Sequence, residues 1–355
     1  MNGNTDIQSE IKDTLEKEEK ESKSLVIPVV IAMSVLVLLL IAFYVFVRFY
    51  NKYTFTCVKN EDGETCTVIK IGERAVAPFL YFPSVLEIPE TVEGLKVSAI
   101  GDGAAYGNGR IESVTFGADI GVIGASAFAS CENLSSIAFS SAEVTVEEKA
   151  FQNCFALESA DFGGVKYIGA SAFEGCAALS SAEMGSIAEI GERAFFGCAM
   201  LERVKFGTPL ERVGSEAFWG CESLAEIKMN GAQEIGEYAF RGCTSLTSAS
   251  LGGAESIGTG AFSGCRALSS LTLGGGTENI GDRAFSSCTS LADLSIPASL
   301  KSMGECVFEK CPRLERLIYE GTRGEWENAV ILGALWRDGS SITRVESMEG
   351  YVQYN

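Results

Sequence analysis

Ile190 to Phe206 reads IGERAFFGCAMLERVKF, and the same pattern returns along the chain from Ile123 to Tyr319. Its constant positions are Ile-Gly, then Ala-Phe after two variable residues, Cys after two more, and Leu after another two. An aliphatic and a large apolar residue, here Val204 and Phe206, close the unit. The Phe position recurs at intervals of 22 or 23 residues, at Phe128, Phe151, Phe173, Phe195, Phe218, Phe240, Phe262, Phe285 and Phe308. A Cys follows three residues later in every copy, at Cys131, Cys154, Cys176, Cys198, Cys221, Cys243, Cys265, Cys288 and Cys311.

A fixed period of about 20 to 29 residues is typical of a leucine-rich-repeat solenoid, whose coils bury their apolar sides only against each other. After Leu201, the unit ends with Val204 and Phe206, which show the period-two alternation of a short strand. Such strands from successive coils are expected to stack in parallel on one face of the solenoid. The Ile-Gly step then begins the return side, where we expect Gly191 to permit a tight bend or a positive φ. The predicted fold is an α/β-type solenoid rich in short parallel strands, with about ten coils of 22–23 residues between terminal caps.

These units resemble the BspA-like, treponemal-type leucine-rich repeat, whose repeat reads IGxxAFxxCxxLxxIxIP. The resemblance covers about Ile100 to Tyr319, and Glu320 to Trp326 resembles the family's closing segment. It implies a protein exposed on the surface of a cell, where it takes part in adhesion and binds proteins of a host or a neighbouring cell. The repeat spacing alone does not show this role. We number the nine regular coils by their Phe, so that coil four contains Phe195.

The composition argues against several classes of function. A formal charge of −19 would repel phosphate backbones, so nucleic-acid binding is not expected. The chain has no histidine, which removes the commonest general base and the His-containing zinc sites. Repeated acids such as Glu192 and Glu237 occupy variable positions at bends, and no insertion builds the cleft that a glycosidase needs. We therefore expect neither an enzyme nor a cofactor.

The nine repeat cysteines are predicted to fill a shared internal column. Metal sites bring two ligands together within a short step, whereas each coil supplies one Cys between apolar neighbours. Free Cys is among the most buried residue types, which favours a packing role. Cys306 lies five residues before Cys311, out of register, and is expected to be exposed.

The N-terminal part of the chain predicts a membrane anchor. Residues 25–47 are 23 residues without a charge, and as a helix they span about 35 Å, enough for a bilayer core of about 30 Å. Aromatic and basic residues follow at 48–53 instead of a small-residue cleavage site, so the segment is predicted to be retained. Residues 1–24 are predicted to be a polar cytoplasmic tail, either solvated or a short partner-binding helix.

Residues 48–99 are predicted to form a juxtamembrane segment and an N-terminal cap. Tyr53 to Ile69 alternates around a turn at Asn60–Gly63, which predicts a β-hairpin. Cys57 and Cys66 lie on its two arms, either as a cross-strand disulfide or as two free thiols. A disulfide there would support an oxidising, extracytoplasmic location.

Residues 100–319 are predicted to be the repeats, and the period stops beyond them. Their first coil is degenerate, with Ala105 at the Phe position, as expected of a terminal repeat that presents one face to water. Residues 320–355 are predicted to form a C-terminal cap in which Trp326 and Trp336 cover the last coil.

Candidate ligand contacts lie where the coils differ from each other. Strand positions that flank the buried aliphatic residue are mostly small, but coils four and five carry the charged residues Arg203, Lys205, Glu226 and Lys228. The position after the core Phe carries aromatic or Arg side chains in coils four to six, namely Phe196, Trp219 and Arg241. Exposed aromatic and Arg residues are common anchors of interfaces. These seven residues are the predicted ligand contacts; the alternative is a solvated face with one cation–aromatic stack.

The sequence therefore predicts a non-enzymatic, single-pass protein of the cell membrane that binds an extracellular protein or glycan. Residues 25–47 would hold it in the membrane. Basic residues flank this span equally, so the positive-inside rule does not decide the orientation, and the family resemblance is what favours repeats outside the cell. The alternative is a membrane-tethered intracellular scaffold.

Overall fold

The structure of the protein is a computed structural model, which describes residues 33–42, 53–72, 85–117, 119–139, 143–207, 210–229, 231–328, 330–333 and 335–354. The chain divides into two compact units. The first is Met1–Thr54 with Glu73–Leu80, and the second is Phe55–Gly72 with Tyr81–Asn355.

In the first unit, residues 33–42 form a helix, α1, whose side chains are exposed. The other residues of the predicted span 25–47, and the whole of the predicted tail 1–24, lie outside the described residues. Among the residues that are described, no helix has both the length and the apolar character needed to cross a membrane. The membrane anchor therefore stays a prediction.

The second unit is a parallel-strand solenoid in which each coil contributes two short strands. The N-terminal strands are β1 (Thr54–Lys59), β2 (Thr65–Gly72), β3 (Val85–Ile88), β4 (Thr91–Val92) and β5 (Leu95–Ile100). Strands that end at the Ile of the Ile-Gly step, or at its equivalent, are β7 (Val122–Ile123), β9 (Val144–Val146), β11 (Val165–Ile168), β13 (Glu189–Ile190), β15 (Arg212–Val213), β17 (Glu234–Ile235), β19 (Ser256–Ile257), β21 (Asn279–Ile280), β23 (Ser302–Met303) and β25 (Ile331–Leu332).

Strands that follow the repeat Leu, or its equivalent, form the opposite side of each coil. They are β6 (Ser113–Phe116), β8 (Ser136–Ala138), β10 (Ser159–Asp161), β12 (Ser181–Glu183), β14 (Arg203–Lys205), β16 (Glu226–Met229), β18 (Ser248–Leu251), β20 (Ser270–Leu273), β22 (Asp293–Ile296), β24 (Arg316–Tyr319) and β26 (Arg344–Ser347). The last elements are a short helix, α2 (Arg323–Asn328), and the final strand, β27 (Gly350–Gln353).

Within the described residues these strands form three sheets. The first has 14 strands in the order β1-β2-β5-β7-β9-β11-β13-β15-β17-β19-β21-β23-β25, with β4 paired to β5. The second has nine, in the order β20-β18-β16-β14-β12-β10-β8-β6-β3, and the third has four, in the order β22-β24-β26-β27. Pairing between coils is parallel and advances by one repeat, as when Ile190 faces Val213 in the first sheet and Ala182 faces Val204 in the second. The predicted face of parallel strands is confirmed by the second and third sheets. The return side, which begins at the Ile-Gly step, also contains strands, and these form the first sheet.

A column of phenylalanine rings forms the centre of the core. The repeat Phe side chains are fully buried, and neighbouring rings stack with centroids 5.1 to 5.9 Å apart. Offset stacking at this spacing adds to the stabilisation from apolar burial. The prediction that Phe195 and its equivalents point inward is confirmed.

The repeat cysteines form the predicted internal column beside the rings. All nine are fully buried, and each Sγ from Cys154 to Cys311 donates a hydrogen bond of 3.1 to 3.3 Å to the carbonyl oxygen of the preceding coil's Phe. Burial raises the pKa of the Cys131 thiol to about 12. Cys therefore suits this position because it is small and still satisfies a buried carbonyl group.

The expectation that Cys306 is exposed is wrong. Its exposed fraction is 7%, and its backbone N–H donates to the carbonyl oxygen of Leu335. The segment after α2 returns over this position, which the local sequence around Cys306 does not reveal.

The glycine of the Ile-Gly step serves close packing between coils. Gly191 does not have a positive φ; Arg193, two residues later, has φ 55°. A Cβ at Gly191 would lie 2.6 Å from the carbonyl carbon of Gly169 and 2.7 Å from the backbone nitrogen of Ala170. The expected positive φ is therefore corrected, and the reason for glycine is the backbone of the preceding coil.

The N-terminal hairpin has the predicted form. Strands β1 and β2 are joined by a turn in which the Asn60 N–H donates to the Thr65 oxygen at 2.9 Å. Strand β2 pairs in parallel with β5, so the hairpin continues the first sheet beyond the coils. Cys57 and Cys66 are free thiols, which is the second of the two expected alternatives. Burial, together with a hydrogen bond to Cys57, raises the pKa of Cys66 to about 11.

The C-terminal cap contains the predicted pair of tryptophans. Trp326 and Trp336 are buried with ring centroids 5.8 Å apart, and Trp326 Nε1 donates to Tyr354 Oη at 2.8 Å. Helix α2 begins with a capping box, because Thr322 N–H donates to Glu325 Oε2 at 2.7 Å and Glu325 N–H donates to Thr322 Oγ1 at 3.2 Å.

The repeating backbone structure continues beyond Tyr319, so the prediction that the period stops there is wrong for the backbone. Strands β25 and β26 continue the first and third sheets in parallel by one further, irregular coil. The last strand, β27, ends the third sheet as the antiparallel partner of β26.

Candidate functional site

The turn that follows each Ile-Gly step presents two neighbouring variable positions. They are the second residue after Gly and the residue after the core Phe. Arg193, Glu216 and Tyr238 occupy the first position with φ of 55° to 57°. Each of their N–H groups donates to a carbonyl oxygen of the next coil at 2.8 or 2.9 Å. Backbone bonds between coils thus hold the side chains of successive turns in register.

Five side chains at these positions form a continuous cluster, which we call the cation–aromatic ladder: Arg193, Phe196, Trp219, Tyr238 and Arg241. The rings of Phe196 and Trp219 have centroids 5.5 Å apart, and those of Trp219 and Tyr238 are 5.8 Å apart. Arg193 Cζ lies 4.0 Å from the Phe196 centroid. Arg241 Cζ lies 4.5 Å from the Trp219 centroid and 5.3 Å from that of Tyr238. The rings are half-buried and Arg241 is exposed.

The structure therefore brings together the predicted residues Phe196, Trp219 and Arg241, and it adds two that sequence reasoning missed. Arg193 and Tyr238 sit at the second position after Gly, in IGER and IGEY. The signal was present in the repeat, because Arg193 comes three residues before Phe196 and Tyr238 comes three residues before Arg241 in the same kind of turn. Only the register between coils shows which side chains of successive turns meet.

Two carboxylates hold one end of the ladder in place. Arg193 donates to Glu174 at 2.8 Å and to Glu216 at 3.0 Å, and Gln152 Nε2 donates to Glu174 at 3.1 Å. Burial opposes ionisation of Glu174, but hydrogen bonds from Arg193, Ser171 and Gln152 outweigh it and hold its pKa below the ordinary value. The bond to Glu174 in turn raises the pKa of Arg193. The guanidinium is thereby fixed over the Phe196 ring.

Glu174→Gln is expected to lower the free energy of unfolding by about 1 kcal/mol at pH 7, a modest loss because solvent screens this partly exposed pair. A depressed pKa means that the contribution of Glu174 is complete at neutral pH. It is lost as the pH falls below the ordinary value of 4.5 through the folded-state pKa. Denaturant unfolding at pH 7 and pH 3, with exposed Glu237→Gln as control, checks this. A deficit that is as large at pH 3 as at pH 7 would rule out the ion pair as its cause.

The predicted charged residues of the strands lie on the outer face of the second sheet. Arg203 and Lys205 are exposed on β14, as are Glu226 and Lys228 on β16, and Arg203 is in register with Glu226. Lys228 Nζ lies 2.5 Å from Glu226 Oε1. We call these four residues the strand-face patch. The patch and the ladder lie on different sides of the coil, one on a strand and the other on the turns.

The ladder and the patch differ in what they offer a ligand. Aromatic rings with adjacent guanidinium groups supply apolar area, cation–π contacts and hydrogen-bond donors in one place. The strand-face patch supplies charge alone. Among the described residues, no group of three or more Cys, Asp or Glu side chains is placed to hold a metal ion.

A family model described as the BspA type leucine rich repeat region matches residues 98–225 and 211–330. Among curated protein sequences, none matches the chain. Similar solved structures include a leucine rich cell surface protein from Faecalibacterium prausnitzii, at 20% identity over 79% of this chain and 97% of that chain, with a TM-score of 0.40. A leucine-rich repeat protein from Bacteroides ovatus is 21% identical over 84% of this chain and 98% of its own, with a TM-score of 0.36. The pneumococcal vaccine antigen PcpA is 18% identical over 84% of this chain and 86% of its own, with a TM-score of 0.40.

Proposed function

We propose that this chain, which belongs to the BspA-type leucine-rich repeat family, is a membrane-anchored cell-surface protein that binds a protein ligand through its cation–aromatic ladder. The ladder is the observation that supports this most strongly. It places three half-buried aromatic rings and two arginines side by side across coils four to six. Trp, Tyr and Arg are the residue types that contribute most binding energy at protein interfaces.

The coil does not need these side chains in order to fold. Other coils place Ala129, Gln152, Ser263 and Ser286 at the position of Phe196, Trp219 and Arg241. Those coils keep the same stacked Phe and the same backbone bonds to their neighbours. The large side chains of the ladder are therefore additions to the repeat, and exposing them to water without a partner is unfavourable.

The arrangement of the rings favours a protein over a glycan. A sugar binds best to an open aromatic face, whereas Arg193 covers one face of Phe196 and Arg241 covers one face of Trp219. Guanidinium groups that already lie against rings present their remaining N–H donors at the rim, where carbonyl and carboxylate groups of a protein can accept them.

Display on the cell surface is supported by family membership and by the uncharged residues 25–47. The alternative is a membrane-tethered intracellular scaffold. Protease treatment of intact cells distinguishes the two. Digestion of the repeats supports display, and full protection of the repeats in intact cells with digestion after lysis contradicts it.

Capture experiments with matched variants test the ladder. The full chain in detergent micelles is compared as wild type, as Trp219→Ala/Arg241→Ala, and as Arg266→Ala, a control at an exposed arginine of coil seven outside the ladder. We expect at least one surface protein to be bound equally by wild type and control but about thirtyfold more weakly by the double variant, since such anchors contribute about 2 kcal/mol or more. Unchanged thermal unfolding confirms that the variants are folded. Equal recovery of every captured protein by all three would contradict the proposal.

A further inference from the structure

The strand-face patch is a second surface with its own chemistry. We propose that Arg203 and Lys205 bind an extended acidic segment of a partner protein, with carboxylate side chains on alternate residues. This goes beyond the proposed function, and it is independent of the ladder because the residues lie on the strand side of the coil.

Arg203 and Lys205 differ from most cations of the coils in having no ion pair among the described residues. Arg212, on the outer face of the first sheet, lies 3.5 Å from Glu189 and 3.3 Å from Glu234. Arg316, on β24, is bonded to an acid on either side. Two unpaired cations, two residues apart on one strand, therefore form a small positive region in a chain whose formal charge is −19.

Among the described residues, the neighbouring acids form no ion pair with these two cations. Glu226 is in register with Arg203, but its carboxylate lies 2.5 Å from Lys228 on its own strand. Glu183 is in register with Lys205, yet the two do not come within ion-pairing distance. The guanidinium and ammonium groups remain open to an external carboxylate.

Short hydroxyl side chains surround the patch. Ser181 is in register with Arg203, and Ser248 and Ser250 are in register with Glu226 and Lys228. Ser181 borders the patch on one side, and Ser248 and Ser250 border it on the other, so a ligand meets short side chains at these edges. Serine hydroxyls both donate and accept hydrogen bonds, so they suit the polar backbone of a peptide.

The spacing of the cations matches an extended peptide. Alternate residues of a strand lie about 6.6 Å apart on the same face, and the side chains of an extended ligand repeat at the same distance. Acidic residues at alternate positions can thus meet Arg203 and Lys205 together, with the arginine fork donating two parallel hydrogen bonds to one carboxylate.

The same patch disfavours a continuous polyanion. Glu183 and Glu226 lie beside the two cations, and the chain as a whole is strongly acidic. A nucleic acid or a sulfated glycan would bring negative charge against both acids, whereas a peptide can place neutral residues there. The partner class is therefore an acidic protein segment.

Fluorescence anisotropy with synthetic peptides tests this. The probes are labelled GTETETETG and its uncharged counterpart GTQTQTQTG, with heparin as a third ligand, all at low ionic strength because exposed charges are screened by salt. The full chain in detergent is compared as wild type, as Arg203→Ser/Lys205→Ser, which introduces the residues that coil six has at these positions, and as Arg266→Ser.

We expect wild type and Arg266→Ser to bind the Glu peptide about tenfold more tightly than the Gln peptide, and Arg203→Ser/Lys205→Ser to lose that preference. Trp219→Ala/Arg241→Ala should bind the Glu peptide as wild type does, so that failure of the ladder and failure of the patch are distinguishable. Equal affinity for both peptides, or an unchanged preference in the double Ser variant, would overturn the proposal. Binding of heparin more tightly than the Glu peptide would overturn the assignment to a protein partner.

Discussion

Phe218→Ala is expected to lower the free energy of unfolding by about 3 to 5 kcal/mol, the usual effect of deleting a fully buried aromatic ring. Phe218 is stacked between Phe195 and Phe240, with ring centroids 5.2 and 5.1 Å away, and it makes a T-shaped contact with Phe206 at a centroid distance of 5.9 Å. Stacked coils hold the column rigidly, so the cavity left by the ring cannot be filled by collapse. Denaturant unfolding of the full chain, followed by far-UV circular dichroism, measures the loss.

Glu192→Ala is the matched control for this prediction, because Glu192 is exposed on the turn of the neighbouring coil. We expect its unfolding midpoint to stay close to that of wild type. If Phe218→Ala shifted the midpoint no more than Glu192→Ala, the phenylalanine column would not be the core of the solenoid.

Gly214→Ala is expected to destabilise the protein by about 3 kcal/mol, at the upper end of the effects of overpacking. A Cβ at this position would lie 2.6 Å from the backbone nitrogen of Glu192 and 2.6 Å from the carbonyl carbon of Gly191. Backbone atoms cannot move aside as a flexible side chain can, so coils four and five would have to separate. Hydrogen exchange around Ile190 and Val213, together with the unfolding midpoint, measures this.

Gly275→Ala controls for the loss of a glycine, because no atom lies within 4 Å of its added Cβ and its φ is not positive. We expect this variant to be as stable as wild type or slightly more stable, since alanine restricts the unfolded chain. Comparable destabilisation of both variants would contradict close packing between coils as the reason for the repeat glycine.

Much of the solenoid could be predicted because every coil has apolar residues at the same buried positions. The Phe and Cys columns and the strand after Leu201 follow from period and alternation alone. The second strand of each coil was missed since two residues such as Glu189–Ile190 are too few to show a periodicity. The role of Gly191 was predicted wrongly because a recurrent glycine can indicate either a positive φ or close packing against another backbone. Only the distance between neighbouring coils distinguishes these two explanations.

Features that depend on distant contacts were beyond sequence reasoning. The burial of Cys306 is due to residues near Leu335, almost thirty positions later in the chain. The start of α2 is different, because Thr322 and Glu325 have the spacing of a capping box and were a readable signal.

The candidate surfaces were located by contrast between coils, and their contacts required the structure. Phe196, Trp219 and Arg241 stood out in one repeat position. Which neighbours they touch depends on the offset between turns, and this offset brought in Arg193 and Tyr238. In the strand-face patch, Glu226 forms its ion pair with Lys228 and not with Arg203 on the neighbouring strand. Side-chain conformation decides which pair forms, and no sequence pattern encodes it.

The ligand for this measurement is a protein that the wild-type chain captures and the Trp219→Ala/Arg241→Ala variant does not. Hydrogen exchange of the full chain, measured alone and with this ligand bound, locates the contact directly. Binding through the cation–aromatic ladder predicts slower exchange in the turns around Arg193, Trp219 and Tyr238 and unchanged exchange in the equivalent turn around Phe262. Protection confined to the C-terminal cap around Trp326, with no change in the three turns of the ladder, would contradict it.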